Sequence, residues 1–180
     1  MSRPPRARGS VLDAFEQILI DGNERAATMD ATARAAGVSK GGLLYHFATK
    51  DALEAGMIDR LDGLVDEDVA AIAAASEGAV AYYLRSSVLT ADPLDRAMLA
   101  VSRLAQGGSV AAGTALQRTR DRWADALRPH VRDEAALNLV LLVSDGLYFN
   151  NLLEAETAMH LPVGADLDAL IALVLHAVAE

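Results

Sequence analysis

Two short helices separated by a glycine constrain this chain more than any other feature of its sequence. Thr28 is placed to cap a helix over 29–36, and Ser39 to cap another that closes near Tyr45. Between them Gly37 supplies the positive φ that a tight turn needs, and Val38 plugs the turn. The earlier of the two helices is almost all small (Ala31, Ala33, Ala35, Ala36), which lets another helix approach closely. Upstream, Val11, Leu12, Phe15, Ile18 and Leu19 form one helical stripe, expected to start at the capping-box-like pair Ser10 and Asp13 and to stop at Gly22-Asn23. Downstream, Thr49 caps a fourth helix, with Asp51 in its first turn where the helix dipole favours an acid. Helix, short turn with glycine, helix is the helix-turn-helix pattern. Leu12, Phe15, Leu19, Val38, Leu43 and Phe47 read as the core that holds it.

The remainder parses as further helices over 50–75, 79–90, 93–106, 110–128, 133–154 and 166–179, broken at Gly107-Gly108, Arg128-Pro129 and 161–164. Gly56 and Gly63 weaken the first of these, so it has room to bend. Alanine and leucine dominate and no strand pattern is evident, so the expected fold is all-α. It has about nine helices: a three-helix head over 1–48 with a basic N-terminal arm, and a larger helical domain over 49–180.

Net charge is −9, yet the first fifty residues carry +2 and the other 130 carry −11. A basic head on an acidic body can touch phosphates with one end only. The chain holds no cysteine, which excludes thiolate metal sites and cysteine nucleophiles. His46, His130, His160 and His176 are scattered without metal-ligand spacing, and no glycine-rich loop follows a strand. An enzyme, a cofactor and a metal are therefore not expected. The basic N-terminus is not followed by an apolar run, so it does not read as a secretory signal. The longest apolar stretch, within 169–179, is interrupted by His176 and falls short of the roughly 18 residues of a membrane span. The expected location is the cytoplasm.

The segment TMDATARAAGVSKGGLLYHFATKDAL resembles the DNA-binding segment of the tetracycline-repressor family of transcriptional regulators. The resemblance covers about residues 8–56. It rests on the Ala-Ala-Gly-Val-Ser-Lys turn, the Tyr-His-Phe that closes the third helix, and the Thr-Lys-Asp that opens the fourth. Ser144-Asp145-Gly146-Leu147 resembles, more weakly, the penultimate helix of some members. The family usually has an aromatic residue where this chain has Leu44, and here the tyrosine follows as Tyr45, free either to contact phosphate or to pack on the fourth helix.

The resemblance implies sequence-specific binding of a near-palindromic double-stranded operator. The third helix would enter the major groove, with Lys40 reaching guanine or phosphate. Gly41 and Gly42 would let the backbone come close, at a helix-propensity cost of about 1 kcal/mol each. His46 and Lys50 would hold phosphates, with Thr28, Ser39 and Tyr45 completing the set. Arg6 and Arg8, on the arm with Arg3, would reach the adjacent minor groove or stay solvated.

The last two helices are apolar nearly all round, through Leu137, Leu139, Val140, Leu141, Leu142, Val143 and Leu147, then Leu167, Leu170, Ile171, Leu173, Val174, Leu175 and Val178. A body this small covers such a helix at most once, so one side is expected to meet a second copy. The resemblance implies the same homodimer, through a four-helix bundle. A small hydrophobic or amphipathic effector is expected among the middle helices. Tyr83, Met98, Val101, Arg120, Trp123, Phe149 and Asn150 are the candidate contacts. Arg120 shares a face with Leu116 and Trp123, so it needs an acidic neighbour, a carbonyl or an anionic ligand. The alternatives are a constitutive DNA-binding dimer without a ligand and a helical protein-interaction module.

Overall fold

The computed structural model describes residues 4–88, 92–154 and 161–179, and the side chains of 7–88, 92–151 and 161–179. Among these the chain is all-helical: α1 Pro4–Asp21, α2 Met29–Ala35, α3 Lys40–His46, α4 Lys50–Ala74, α5 Ala79–Ser86, α6 Pro93–Gln106, α7 Val110–Leu127, α8 Glu134–Glu154 and α9 Ala165–Ala179. A single 3₁₀ turn, Arg128–His130, follows α7. None of the described helices is long and apolar enough to cross a membrane.

Most of the expected caps form. Thr28 accepts from the Ala31 amide at 3.2 Å, Ser39 from Gly42 at 3.1 Å, and Thr49 from Ala52 at 3.1 Å. Gly37 takes φ +67°, as the turn between α2 and α3 demands. Two expectations are corrected. The basic arm is helical from Pro4, so α1 starts before Ser10, which lies inside the helix rather than at its cap. Proline lacks an amide hydrogen and has a preset φ, so Pro4 and Pro5 suit a first helical turn and need no capping box. Arg3 and the Arg6 side chain lie outside the described residues. Helix α5 ends at Ser86 rather than continuing toward 90, because the Ser86 and Ser87 hydroxyls both bond back to the Tyr83 carbonyl, at 3.0 and 2.9 Å.

The chain packs as two compact units. The first holds α1–α3, α4 as far as Val65, α6, and α7 as far as Thr119. Its apolar interior includes Val11, Leu12, Phe15, Leu19, Leu43, Phe47, Leu53, Met57 and Leu61. Gly56 turns out to be a packing contact and α4 runs unbroken through it. A Cβ there would stand 2.8 Å from the Phe47 ring and 3.2 Å from Leu12. Glu16 of α1 is buried and paired: Arg60 of α4 reaches it at 3.0 Å and Arg96 of α6 at 2.7 Å, while Arg60 also holds Asp13 at 2.7 Å.

The second unit holds α4 from Asp66, α5, α7 from Arg120, α8 and α9. Its core is one apolar cluster that includes Ile72, Val80, Leu84, Leu127, Leu137, Val140, Leu147, Ile171, Val174 and Val178. Helix α8 divides as its sequence suggests. Leu137, Val140, Leu141 and Leu147 face this core, whereas Leu139, Leu142 and Phe149 are exposed.

Candidate nucleic-acid interface

Helix α3 has two unlike faces. Leu43 is fully buried, with Phe47 beside it, and these anchor the helix on α1 and α2. Lys40, Gly41, Leu44 and Tyr45 lie at the spacing of one helical face and are all exposed. Nothing lies within 4 Å of where a Gly41 Cβ would be, so protein packing does not demand that glycine. Gly42 differs. A Cβ there would meet the Ser39 hydroxyl at 3.3 Å, crowding the oxygen that caps the helix.

Tyr45 is 83% exposed and does not pack on α4; its ring meets His46 edge-on at 5.1 Å. Leu44, at the position where an aromatic residue was expected, is exposed beside it. Thr28, Ser39 and Lys40 are exposed as well.

Three cations of the head are already engaged. Lys40 pairs with Asp30 at 2.9 Å, and both side chains stay well exposed. Lys50 forms an ion pair with Glu24 and also donates to the Glu24 carbonyl at 3.1 Å. The Arg8 guanidinium lies 5.0 Å from the centre of the Phe47 ring. Sequence periodicity gave no sign of the Glu24 pairing, because the two residues are 26 positions apart and Glu24 sits in a loop. Arg8 over Phe47 was equally hidden by the reading of its segment as an arm.

The candidate ligand residues are distributed over both units. Met98 and Val101 belong to α6 in the first unit, where Val101 is fully buried. Tyr83, Arg120, Trp123, Phe149 and Asn150 belong to the second. There the Tyr83 and Trp123 rings lie 5.8 Å apart, and the indole N–H donates to Asp68 at 2.8 Å. Burial pushes the Tyr83 phenol up to about 12, against the lowering effect of its hydrogen bond with Ser144. Ser144 in turn shares a buried hydrogen bond of 2.7 Å with Ser87. Arg120 finds an acidic neighbour, Asp145, at 2.6 Å. Phe149 is 60% exposed, away from that cluster's core.

Residues 11–55 match the family model described as bacterial regulatory proteins, tetR family. No curated protein sequence matches the chain. Solved structures share its fold at low identity. A transcriptional regulator from Rhodococcus sp. Rha1 is 19% identical over 95% of each chain, with a TM-score of 0.66. GusR of Salmonella enterica is 18% identical over 99% of this chain and 98% of its own, with a TM-score of 0.65. The multidrug binding protein EbrR, solved with imidazole, is 18% identical over 96% and 95%, also with a TM-score of 0.65. Residues 11–55 thus carry the helix-turn-helix segment described by the tetR model of bacterial regulatory proteins, and the chain shares its fold with these solved structures.

Proposed function

We propose that the protein is a homodimeric repressor that holds a near-palindromic operator with two copies of α3 and leaves it when a small hydrophobic or amphipathic ligand binds. The observation that carries this reading is the bare face of α3 within the family-matched head. In it, Ser39, Lys40 and Gly41 approach base edges in the major groove. Thr28, Tyr45, His46 and Lys50 hold phosphates, and Arg6 and Arg8 reach toward the adjacent minor groove. Functionally, the boundary between reading head and body falls at 48/49. Work on the chromosome places the protein in the cytoplasm.

The exposed apolar residues of α8 and α9 support a dimer. Among the described residues, Leu142 and Phe149 on one helix, and Leu173 and Leu175 on the next, are exposed. Two-fold symmetry would set the α3 copies about 34–36 Å apart or a multiple of that. The Tyr83–Trp123 pair, with buried hydroxyls nearby, supports a mainly apolar ligand site with few polar anchors. EbrR, a multidrug binding protein of the same fold, motivates the class of ligand. One observation favours the constitutive alternative. The Trp123 indole and the Arg120 guanidinium both find their partners inside the chain and do not require a ligand.

Selection from random-sequence duplexes tests the operator. The expected product is a near-palindrome, and Lys40→Ala should lose about 1–3 kcal/mol of discrimination between bases. Recovery of no preferred sequence would overturn the reading. Trp123 is the single tryptophan, so its fluorescence reports ligands directly. Linkage requires that a true effector bind more weakly in the presence of operator, by the factor with which it weakens DNA binding. A panel with no binder, or only binders indifferent to operator, would leave the constitutive dimer.

A further inference from the structure

A concave site of about 300 Å³ lies within the first unit, between the α1–α2 loop and the end of α6. Asn23, Glu24, Arg25, Arg103, Gln106 and Gly107 line it. Its polar groups are unbalanced in a specific way. The Glu24 carboxylate is spent on Lys50, and the Glu24 carbonyl also accepts from that ammonium. The Asn23 side-chain oxygen is spent on the amides of Arg25 and Ala26, at 3.0 and 3.2 Å, which leaves its NH₂ uncommitted. The Gln106 oxygen takes one Arg103 N–H at a long 3.4 Å. The Arg103 Nε is shielded from solvent and has no hydrogen-bond partner among the described residues. Arg25 pairs with no carboxylate among them.

The uncommitted polar groups on the wall include the donors of two guanidinium groups and the Asn23 amide, beside one oxygen of the Glu24 carboxylate whose other oxygen already holds Lys50. A buried guanidinium N–H without an acceptor is costly, and a fork of such donors matches a phosphate or carboxylate. The walls are held close. At Gly107 a Cβ would come within 2.6 Å of Glu24 Cβ and Cγ, so backbone packs directly against that side chain.

We propose that this pocket binds a small oxyanion carrying a phosphate group, through Arg103, Arg25 and the Asn23 amide. The phosphate of a free small molecule and a phosphate of the DNA backbone share that chemistry; the free molecule is the occupant argued here, because the site is a concave pocket of about 300 Å³ rather than an exposed helix face. None of its lining residues belongs to α3 or to the Tyr83–Trp123 pair.

The test titrates inorganic phosphate into the ¹⁵N-labelled full chain without DNA, following the arginine Nε–H signals by NMR and the affinity by calorimetry. A failure here leaves the DNA-binding reading untouched. The Arg103 signal should move saturably, and Arg103→Gln and Arg25→Gln should each weaken phosphate at least about tenfold. Arg34→Gln, at an exposed position on α2, should stay within twofold. Arg103→Gln should also leave duplex affinity within twofold. The proposal is overturned if Arg103→Gln and Arg25→Gln, with thermal unfolding unchanged, bind phosphate as the parent does. It is overturned equally if Arg34→Gln weakens phosphate as much, which would mean diffuse surface charge. A tenfold loss of duplex affinity in Arg103→Gln would overturn it in favour of a backbone phosphate.

Discussion

The two units bury different polar groups and leave bare different faces. In the first, the buried polar side chains include a carboxylate, Glu16, held between two arginines. In the second they are hydroxyls, Ser87 and Ser144, bonded to each other inside an apolar cluster. The faces differ in the same sense. Helix α3 exposes a cation, a glycine and a phenol, whereas α8 and α9 expose leucines and a phenylalanine. The contrast separates two kinds of partner. A hydrated polyanion is met by charge and hydrogen-bond donors on a helix that the backbone lets come close. A second protein surface is met by apolar area, from which water must be removed.

The strongest way to break that contrast is to charge the apolar face. Leu142 is 64% exposed, and Leu142→Glu would place a carboxylate from each copy in the proposed shared surface. An unpaired charge buried there twice should cost about 4 kcal/mol, or roughly a thousandfold in dimer dissociation constant. Sedimentation at micromolar concentration should find monomers. A dimer as tight as the parent's would mean that α8 is bare for another reason.

The next test sharpens the neutral character of the second core. The Tyr83 phenol is pushed from 10.0 to about 12, mainly by burial, so the folded state holds its proton more tightly than the unfolded chain does. The stability this contributes is fully present below pH 10 and is lost as pH rises through 12. Two pH units correspond to about 3 kcal/mol. Between those limits the parent should lose about that much more stability than Tyr83→Phe, measured by urea unfolding. Parallel pH profiles would mean that the phenol is not buried in solution.

A smaller effect is expected from the charged core of the first unit. Glu16→Gln keeps the shape and removes the charge that Arg60 and Arg96 share. Both arginines are partly exposed and recover some hydration, so the loss should be about 2 kcal/mol rather than the 3–5 of a fully enclosed pair. If unfolding free energy stays within a few tenths, the carboxylate is not what ties α1 to α4 and α6.

Much of this frame was legible before any coordinates. Caps and turn glycines announce themselves locally, which is why the roles of Thr28, Gly37, Ser39 and Thr49 are legible in the sequence. The all-round apolar run of α8 pointed to two buried sides, and the structure gives one core side and one uncovered side. What sequence pattern could not supply was partnership across distance. The acid beside Arg120, the carboxylate on Lys50 and the ring under Arg8 all come from other elements, and no periodicity encodes them. Nor does sequence pattern say that Met98 and Val101 fall in the first unit and Tyr83 and Trp123 in the second, since similar apolar stripes do not say which core they enter.

The finest test concerns Lys50, where both kinds of partner meet one side chain. Its ammonium is held by Glu24, so any backbone phosphate must compete with a carboxylate already in contact. Glu24→Gln removes the competitor and leaves the carbonyl contact intact. The released cation becomes available to every sequence alike, because phosphate contacts carry no base information. Duplex affinity should therefore rise about three- to tenfold on operator and non-operator DNA together. The log–log slope against salt should steepen by about 1.8 for the dimer, one further counterion-releasing contact on each of its two heads. In a Lys50→Ala background the same substitution should do much less, since only its long-range charge effect remains. If Glu24→Gln tightens binding equally with and without Lys50, Glu24 acts as a general negative field near the DNA rather than as a restraint on that lysine. If it changes nothing in either background, Lys50 does not reach the duplex, and the phosphate contacts of the head must come from α3 and its caps.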